Sequence, residues 1–378
     1  MKNIYNNNED FYYGLFVIIM LTILLVQFNN NNKHDVSTRE DFGNYISACN
    51  RLPRAVNNAL QKNKINEGDE NDWEYYIPCA YTFCEKNILK FEDVDTGKKL
   101  FMLDGCDWIA SKVAIWSLIK NEFGHRASEI MPETFILSDK LDNERFKKFY
   151  QYKKSINPRH KFIAKNFKQR QKGLKLLSNL NEINDGIRKD FKVIQDFLEN
   201  PYTISGHKIN LRYYLLITCY QSKIKGYIFN DGFLYYTPKV FEKFSNDDDR
   251  CITSGYIDRK IYDENPLTIK DFEKYLGPDK LKIFNKEIKY KFSLIMKSLS
   301  NKICSNRNLD KHFKFQVFGA DIAPDEDLKV TLMEINKGPD LGYKDGRDGD
   351  LKKDMVQDLF KISESKGDHT NTRFVNIW

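Results

Sequence analysis

Three polar residues near the C-terminus stand where the sequence otherwise buries hydrocarbon. In residues 319–341, GADIAPDEDLKVTLMEINKGPDL, Asp321 ends one apolar run, and Glu334 and Asn336 lie two positions apart within a second. A buried carboxylate without a partner costs several kcal/mol or becomes protonated. These residues therefore predict a bound cation, and their hard oxygen ligands favour Mg²⁺.

A series of candidate ligand-binding residues precedes this hairpin. Lys165 ends the apolar strand FIAK, the segment VIQDF carries Gln195 and Phe197, and Lys208 and Arg212 form a Lys-x-x-x-Arg spacing on the next strand. A lysine at a strand end is by itself an ordinary surface residue. The ordered series resembles an ATP-grasp site, and the resemblance implies two sheets that clasp a nucleotide and lysines that neutralise its phosphates.

Over roughly residues 130–360, the chain resembles the tubulin-tyrosine ligase and ligase-like family. MPETFIL resembles the family's Pro-x-Thr-Phe entry, FIAKN its Lys-Pro strand, and CITSGYIDRK its Leu-Thr-Asn-Tyr stretch. VIQDFLENPYTISGHKINLRYYLLI is similar to the family's central segment, and FQVFGADIAPDEDLKVTLMEINKGPDL to its Phe-Gly-x-Asp…Glu-x-Asn-x-x-Pro ending. The first 36 residues lie outside the resemblance.

The resemblance implies a role for each matched residue. ATP would be held by the cofactor-binding residues Lys165, Arg170, Lys172, Gln195, Phe197 and Lys208. Mg²⁺ would be held by Asp321, Glu334 and Asn336. Arg212 and Asn336 are the catalytic residues that the resemblance implies, with Arg212 stabilising charge on the transferred phosphoryl group or acyl phosphate.

The phosphate loop departs from the family pattern. The segment KNFKQRQKGLKLL keeps only Gly173, where the family has two or three glycines. Charge would then replace some of the backbone amides that a glycine-rich loop offers to phosphate. The cations available for this are Lys168, Arg170, Lys172 and Lys175.

Three positions expected to face the substrate also differ from the family pattern. Asn210 stands where the family's ligases have an aspartate, and Ser254 stands where an asparagine is usual. The arginine expected after the Asp231-Gly232 turn is replaced by Tyr235. The nucleotide and metal positions match the family better than the substrate positions do.

Two functions of different classes follow. The first is a membrane-anchored, ATP- and Mg²⁺-dependent ligase that joins an amino acid, such as Glu, Gly or Tyr, to a carboxylate of a protein acceptor, for example an acidic tubulin tail, through an acyl phosphate. The second is a pseudoenzyme, a tethered nucleotide-binding or protein-binding module that has lost ligation. The complete metal set favours the first, while Asn210 and the glycine-poor loop favour the second.

The elements that must position these residues predict an α+β protein. The fold class expected is an ATP-grasp fold, with two α+β subdomains and largely antiparallel sheets, preceded by a transmembrane helix. The predicted boundaries are residues 1–37 for an anchor and asparagine-rich linker, 38–150 for an N-terminal α/β domain, and 151–237 and 238–378 for the two ATP-grasp domains. Ile109, Val113, Trp116, Ile119 and Phe123 recur near helical spacing and predict a helix that stops at Gly124.

The N-terminus predicts a membrane span. Residues 11–32 carry no formal charge, and a span needs roughly 20 mostly apolar residues. A signal peptide is the alternative, but its charged region would hold only Lys2 against Glu9 and Asp10, and no small-residue cleavage site follows. We therefore expect a single-pass membrane protein anchored through residues 11–28.

Three features predict that the catalytic part faces the cytosol. The Lys and Arg bias around the span is weak but points that way. The chain contains no Asn-x-Ser/Thr glycosylation acceptor. Seven cysteines, an odd number without a CxxC pair, favour reduced thiols over a disulfide framework.

Composition adds limits on partners. A net charge of +7, spread along 378 residues without a basic block, gives no indication of nucleic-acid binding. Ordinary solvated surface lysines account for it, and attraction to an acidic partner is the alternative. The six histidines show no metal-ligand spacing. Cys79, Cys84 and Cys106 lack a matched fourth ligand, so buried thiols are expected there in preference to a metal cluster.

Overall fold

The computed structural model describes residues 43–94, 97–166, 173–183, 185–255 and 257–378. These residues form a mixed α/β fold with one large and one small β-sheet. Gly43–Trp378 is one compact unit. The domain boundaries predicted within it stay a prediction.

The described strands belong to two sheets. They are β1 (Asn44–Ser47), β2 (Asn66–Glu67), β3 (Tyr75–Ile77), β4 (Lys99–Leu100), β5 (Thr134–Ile136), β6 (Phe162–Lys165), β7 (Leu174–Leu177), β8 (Val193–Asp196), β9 (Thr203–Ile204), β10 (His207–Tyr220), β11 (Lys223–Tyr236), β12 (Phe313–Pro324), β13 (Val330–Asn336) and β14 (Phe374–Asn376).

The described α-helices pack around these sheets. They are α1 (Arg54–Lys62), α2 (Cys84–Ile88), α3 (Cys106–Ala110), α4 (Lys112–Phe123), α5 (Lys140–Ile156), α6 (Asp185–Asp190), α7 (Asp248–Cys251), α8 (Ile261–Glu264), α9 (Ile269–Leu299) and α10 (Gly346–Glu364). Short 3₁₀ helices cover Leu89–Phe91, Gly124–Glu129, Leu180–Glu182 and Arg307–Leu309.

The large sheet has the strand order β14-β11-β10-β12-β4-β3-β1-β2, with β13 paired to β12 and β9 to β10. Its centre is antiparallel, because β10 pairs antiparallel with both β11 and β12, and β12 with β13. The predicted antiparallel strands are therefore present. β4, β3, β1 and β2 pair in parallel at one side.

The small sheet has the order β5-β8-β6-β7 and places its two faces differently. Phe162 and Ala164 of β6 enter a hydrophobic core shared with Phe146 of α5, and the Phe146 and Phe162 ring centroids lie 5.1 Å apart. Side chains alternate along a strand. Ile163 and Lys165 therefore face the opposite side, where the cavity described below lies.

One helix confirms the sequence pattern that predicted it. The predicted helix that stops at Gly124 is α4, and Gly124 has a φ of 58°, a left-handed conformation that favours glycine. The Ser111 hydroxyl oxygen accepts a hydrogen bond from the Ala114 N–H at 3.2 Å and caps the start of this helix.

The predicted membrane helix over residues 11–28 lies outside the described residues. Among the residues that the structure does describe, no helix combines the length and apolar character needed to cross a lipid bilayer. This finding overturns the membrane-anchored part of the predicted fold class, the membrane partner and the single-pass membrane location. The corrected fold class is a mixed α/β fold without a membrane-spanning helix in its described part.

Four cysteines form two disulfides, so the prediction of reduced thiols was wrong. Cys49 bonds to Cys79, and Cys219 bonds to Cys304. Cysteine number and spacing do not reveal which residues a sheet brings together, and β1 and β3 are neighbouring strands. Cysteine usage therefore no longer supports a cytosolic catalytic part. The remaining thiols are buried: Cys84, Cys106 and Cys251.

We expect the Cys219–Cys304 disulfide to be a large contributor to stability. It joins residues 85 apart in sequence, and the loop-closure entropy removed from the unfolded chain corresponds to about 4–5 kcal/mol. Urea unfolding of the oxidised full chain should therefore show a higher midpoint than that of a Cys219→Ala/Cys304→Ala variant. Equal midpoints would contradict the bond.

Candidate active site

A cavity of about 480 Å³ lies between the small sheet and the centre of the large sheet. Seven predicted site residues line it: Lys165, Phe197, Lys208, Arg212, Asp321, Glu334 and Asn336. Gln195 is not part of the lining, and Arg170 and Lys172 lie outside the described residues. The structure thus brings together residues that are up to 171 positions apart in sequence.

Strand register places the acidic residues in one row. On β12, Asp321 pairs with Arg212 of β10 on one side and with Glu334 of β13 on the other. Asn336 pairs with Gly319. Because alternate residues of a strand share a face, Glu334 and Asn336 point to the same side as Asp321. The register alone therefore assembles the predicted metal ligands.

Arg212 and Asp321 form a two-point ion pair. The Arg212 Nε and a terminal guanidinium nitrogen donate to the two carboxylate oxygens of Asp321 at 2.5 and 2.8 Å. A Cβ at Gly319 would lie 3.2 Å from the Arg212 Cδ, so glycine leaves the room that this side chain occupies. Burial raises the pKa of Asp321, and the nearby Arg212 charge opposes that rise.

Glu334 is held by a residue that the sequence analysis missed. Lys112 Nζ lies 2.9 Å from a Glu334 carboxylate oxygen, and Asn336 Nδ2 donates to the other oxygen at 3.1 Å. Burial would raise the pKa of Glu334, but Lys112, Lys165 and Asn336 together lower it to about 2. Glu334 is therefore ionised at neutral pH.

One weak signal could have identified Lys112. It is the first residue of α4, where a cation is unfavourable because the N-terminus of a helix carries partial positive charge. A lysine at this position therefore calls for an external carboxylate partner. Only the fold reveals that this partner is Glu334.

Two buried lysines lack a carboxylate partner. Lys165 and Lys208 are 4% and 5% exposed, and neither forms an ion pair within the described part of the chain. Lys165 donates to the Met333 carbonyl oxygen at 3.4 Å, and the Lys208 Nζ lies 4.6 Å from the centre of the Phe197 ring. Burial is the main cause that lowers the pKa of each lysine to about 8. Such cations fit an anionic ligand, such as a triphosphate.

The donor set also fits a divalent cation. Asp321, Glu334 and Asn336 offer carboxylate and amide oxygens, which are ligands that Mg²⁺ accepts. In the present structure the positive charges beside the two carboxylates come from Arg212 and Lys112. The site therefore already accommodates cations on both carboxylates.

Gln195 and Phe197 differ in their placement. Phe197 lines the cavity, whereas Gln195 is fully buried and donates through Nε2 to Thr134 Oγ1 at 2.9 Å. Its Oε1 has no hydrogen-bond partner within the described residues. The expectation that both side chains lie along the adenine stays a prediction.

Two of the residues that differ from the family pattern, at positions 210 and 235, are neighbours in the sheet. Asn210 of β10 pairs directly with Tyr235 of β11, and both line the cavity. Arg212 lies over the Tyr235 ring, with 5.3 Å between the guanidinium carbon and the ring centre. An uncharged pair therefore occupies positions where the family resemblance implies an aspartate and an arginine.

Comparison with known families identifies the chain's relatives. The model of the tubulin-tyrosine ligase family matches residues 93–372. The chain belongs to the tubulin-tyrosine ligase family. This family is part of the ATP-grasp superfamily, so the resemblance carried by the motifs is confirmed.

Curated relatives align over part of their length. The "Probable tubulin polyglutamylase TTLL9" of Rattus norvegicus is 30% identical over 188 residues, which are 47% of this chain and 40% of the relative. The tubulin monoglutamylase TTLL4 of Mus musculus is 23% identical over 296 residues, 72% of this chain and 24% of the relative. Tubulin glycylase 3E of Tetrahymena thermophila is 22% identical over 241 residues, 56% and 17% respectively. The chain spans less than half the length of these relatives.

We expect Lys165→Met to stabilise the ligand-free protein by roughly 1–3 kcal/mol at pH 7, because it removes a desolvated charge. The folded pKa of Lys165, about 8, lies below the ordinary 10.5. The cost is therefore present below pH 8 and is relieved as the pH rises from 8 to 10.5.

Urea unfolding of the wild type and of Lys165→Met at pH 7 and pH 9.5 tests this prediction. The increase in the free energy of unfolding should be smaller at the higher pH. Lys175→Met, at an exposed lysine on the neighbouring strand β7, is the matched control and should change stability little. A loss of stability in Lys165→Met would contradict the unpaired state of this lysine.

Glu334→Gln should have the opposite effect at neutral pH. The folded pKa of Glu334, about 2, is below the ordinary 4.5, so its ionised form stabilises the fold above pH 4.5, and this contribution is lost as the pH falls from 4.5 towards 2. We expect a loss of roughly 2–3 kcal/mol at pH 7. Chemical unfolding at pH 7 and pH 3 measures it, and a difference that does not narrow at pH 3 would exclude the charge-based cause.

Proposed function

We propose that this chain is an ATP- and Mg²⁺-dependent carboxylate–amine ligase. It forms an amide or isopeptide bond between an amino acid and a carboxylate of a protein acceptor. The observation that carries the proposal is one cavity in which two buried lysines without a carboxylate partner among the described residues lie beside a row of two carboxylates and an amide. Membership of the tubulin-tyrosine ligase family supports it.

The nucleotide is assigned to the end of the cavity next to the small sheet. Lys165 and Lys208 would bind its phosphates, because both are buried in the cavity lining and neither has a carboxylate partner among the described residues. Ile163, Leu174 and Phe197 give this end an apolar surface suited to the adenine ring. The backbone after Gln195 would meet the polar edge of the base. Arg170 and Lys172 remain proposed phosphate ligands from outside the described residues.

Mg²⁺ is assigned to the acidic row. Asp321, Glu334 and Asn336 would hold the ion, and Arg212 and Lys112, which now neutralise the carboxylates, would then be available to phosphate oxygens. When bound, the metal would neutralise negative charge on the β- and γ-phosphates. Arg212 and Asn336 are the proposed catalytic residues, with Arg212 acting on the negative charge of the transferred phosphoryl group.

The proposed reaction has two steps. A carboxylate oxygen of the acceptor attacks the γ-phosphorus, and the bond between that phosphorus and the β–γ bridging oxygen breaks. The products of this step are an acyl phosphate on the acceptor and free ADP. The uncharged amine of the amino acid then attacks the acyl carbon, the carbon–oxygen bond to phosphate breaks, and inorganic phosphate and the amine proton leave. No protein nucleophile takes part, so the chain supplies positioning and charge stabilisation.

The acceptor is proposed to be an acidic protein tail. The relatives are named as enzymes that act on tubulin, and the net charge of +7 favours an acidic partner. Glutamate and glycine are the added amino acids that the names of these relatives suggest, and tyrosine is suggested by the family name.

One observation favours a second candidate. The uncharged Asn210–Tyr235 pair stands where the family resemblance implies two opposite charges, and the buried Asn210 Oδ1 has no partner among the described residues. A nucleotide-binding module without ligase activity would have this property. The two candidates differ in turnover and agree in nucleotide binding.

We expect ATP with Mg²⁺ to raise the melting temperature of the full chain, and we expect Asp321→Asn to lose the Mg²⁺-dependent part of that rise. The matched control is Asp327→Asn, an exposed aspartate in the turn of the same hairpin, which should respond like the wild type. Differential scanning fluorimetry with ATP, with and without Mg²⁺, measures both. Absence of any ATP effect on the wild type would refute the proposal.

Turnover distinguishes the two candidates. ADP release should require ATP, an amino acid and tubulin together, and mass spectrometry of the tubulin should show the corresponding added mass. ATP-dependent stabilisation without ADP release or added mass would assign the chain to the nucleotide-binding module.

A further inference from the structure

The cavity continues past Arg212 to a second end that the proposed nucleotide and metal roles leave unused. Residues 251–255 run along its wall, from contacts with Phe197 at the nucleotide end to Tyr235 and Lys344 at the other. An amine that attacks an acyl phosphate beside Arg212 must approach from a side that the nucleotide does not fill. The second end is therefore the place for the amino-acid co-substrate.

Lys344 is fixed at this second end by the backbone. Its Nζ donates to the Gly255 carbonyl oxygen at 2.9 Å, and its own backbone N–H donates to the Asp348 carboxylate at 2.7 Å. A Cβ at position 255 would lie 3.4 Å from both the Lys344 Nζ and Cε1 of Tyr235. The ammonium group and the tyrosine ring thus share one corner of the cavity.

Tyr235 cannot supply a positive charge to a ligand in this corner. Its register partner Asn210 is uncharged as well. The neighbouring Arg212 is engaged by both oxygens of Asp321 in this structure, and the proposed function assigns it to the transferred phosphoryl group. Lys344, from the segment between β13 and α10, therefore brings positive charge to the place where β10 and β11 present an uncharged pair.

The second end presents charges of both signs. Its charged lining residues are Arg259, Lys344, Lys352, Asp340 and Asp348. Arg259 is paired with Asp345, and Lys352 with Asp348 at 3.1 Å. Asp340 forms no ion pair within the described residues, and its Oδ1 accepts the Gly342 N–H at 2.9 Å. A pocket with a lysine and a separate carboxylate suits a zwitterion better than an anion.

We propose that Lys344 binds the α-carboxylate of the amino-acid co-substrate and that Asp340 faces its ammonium group. This inference rests on the proposed ligase function and assigns its amino-acid subsite. Lys344 then provides from the β13–α10 segment the carboxylate recognition that residue 235 cannot provide. The amine would reach the acceptor from the side of the cavity opposite the nucleotide.

Calorimetric titration of the full chain tests the subsite. L-Glutamate, glycine and L-tyrosine are each titrated into protein saturated with Mg²⁺ and a non-hydrolysable ATP analogue. We expect at least one of them to bind, and its α-amide, which lacks the carboxylate charge, to bind much more weakly. Lys344→Met should weaken amino-acid binding by about 10- to 100-fold, as for the loss of one charge-assisted hydrogen bond.

Two further variants make the result specific. Lys353→Met removes a half-exposed lysine of α10 that is paired with Asp350 outside the cavity, and it should bind the amino acid like the wild type. Tyr235→Arg, introduced into Lys344→Met, should restore part of the lost affinity, because it places a cation in the same corner. Affinity for the ATP analogue should be unchanged in all variants, which also reports that they fold.

The outcomes separate this inference from the proposed function. If Lys344→Met binds the amino acid as the wild type does, or if the α-amide binds equally well, the subsite is wrong while the ligase proposal stands. If the ATP analogue binds and none of the three amino acids does, the subsite is also wrong. If the wild type fails to bind the ATP analogue, the proposed function fails and the subsite with it.

Discussion

The site depends on charge balance across three adjacent strands. Asp321 and Glu334 are register partners on β12 and β13, and two ionised carboxylates this close repel each other when buried. Arg212 from β10 and Lys112 from α4 neutralise them in the present structure. Because the two cations come from different elements, strands β10, β12 and β13 and the start of α4 must keep fixed positions relative to one another. Gly319 contributes to this charge balance, because the absence of a side chain there leaves space for the side chain of Arg212.

The buried lysines show a different use of charge. Lys165 and Lys208 come from the two sheets and face one cavity, yet neither has a carboxylate partner in the described residues. A desolvated cation without a counterion costs folding free energy, so the fold alone gives no reason to retain either one. A ligand that brings negative charge to both would repay this cost. Binding function, rather than stability, therefore accounts for this pair, as is common at functional sites.

Local patterns predicted the elements well where their physical cause is local. The apolar spacing before Gly124 predicted α4, and the largely antiparallel sheets that were expected are present in the pairing of the long strands β10 and β11. The failures concern features without a local cause. The disulfides of Cys49 and Cys219 join residues that only strand pairing brings together, so spacing could not reveal them. The membrane anchor is a different case, because it was predicted from the uncharged, apolar residues 11–32, which lie outside the described part of the chain, and no described helix supports it.

The sequence by itself determined which residue types were available for the chemistry. A carboxylate at Asp321 and the Glu334-x-Asn336 spacing required a cation, because burying such groups unpaired is too costly. Tertiary structure decided which cations form ion pairs with these carboxylates. Lys112 became the partner of Glu334 only because α4 begins beside β13, and Lys344 reached the corner beside Tyr235 only because the β13–α10 segment folds over residue 255. Charge interactions act through space, so their partners are set by the fold and not by proximity along the chain.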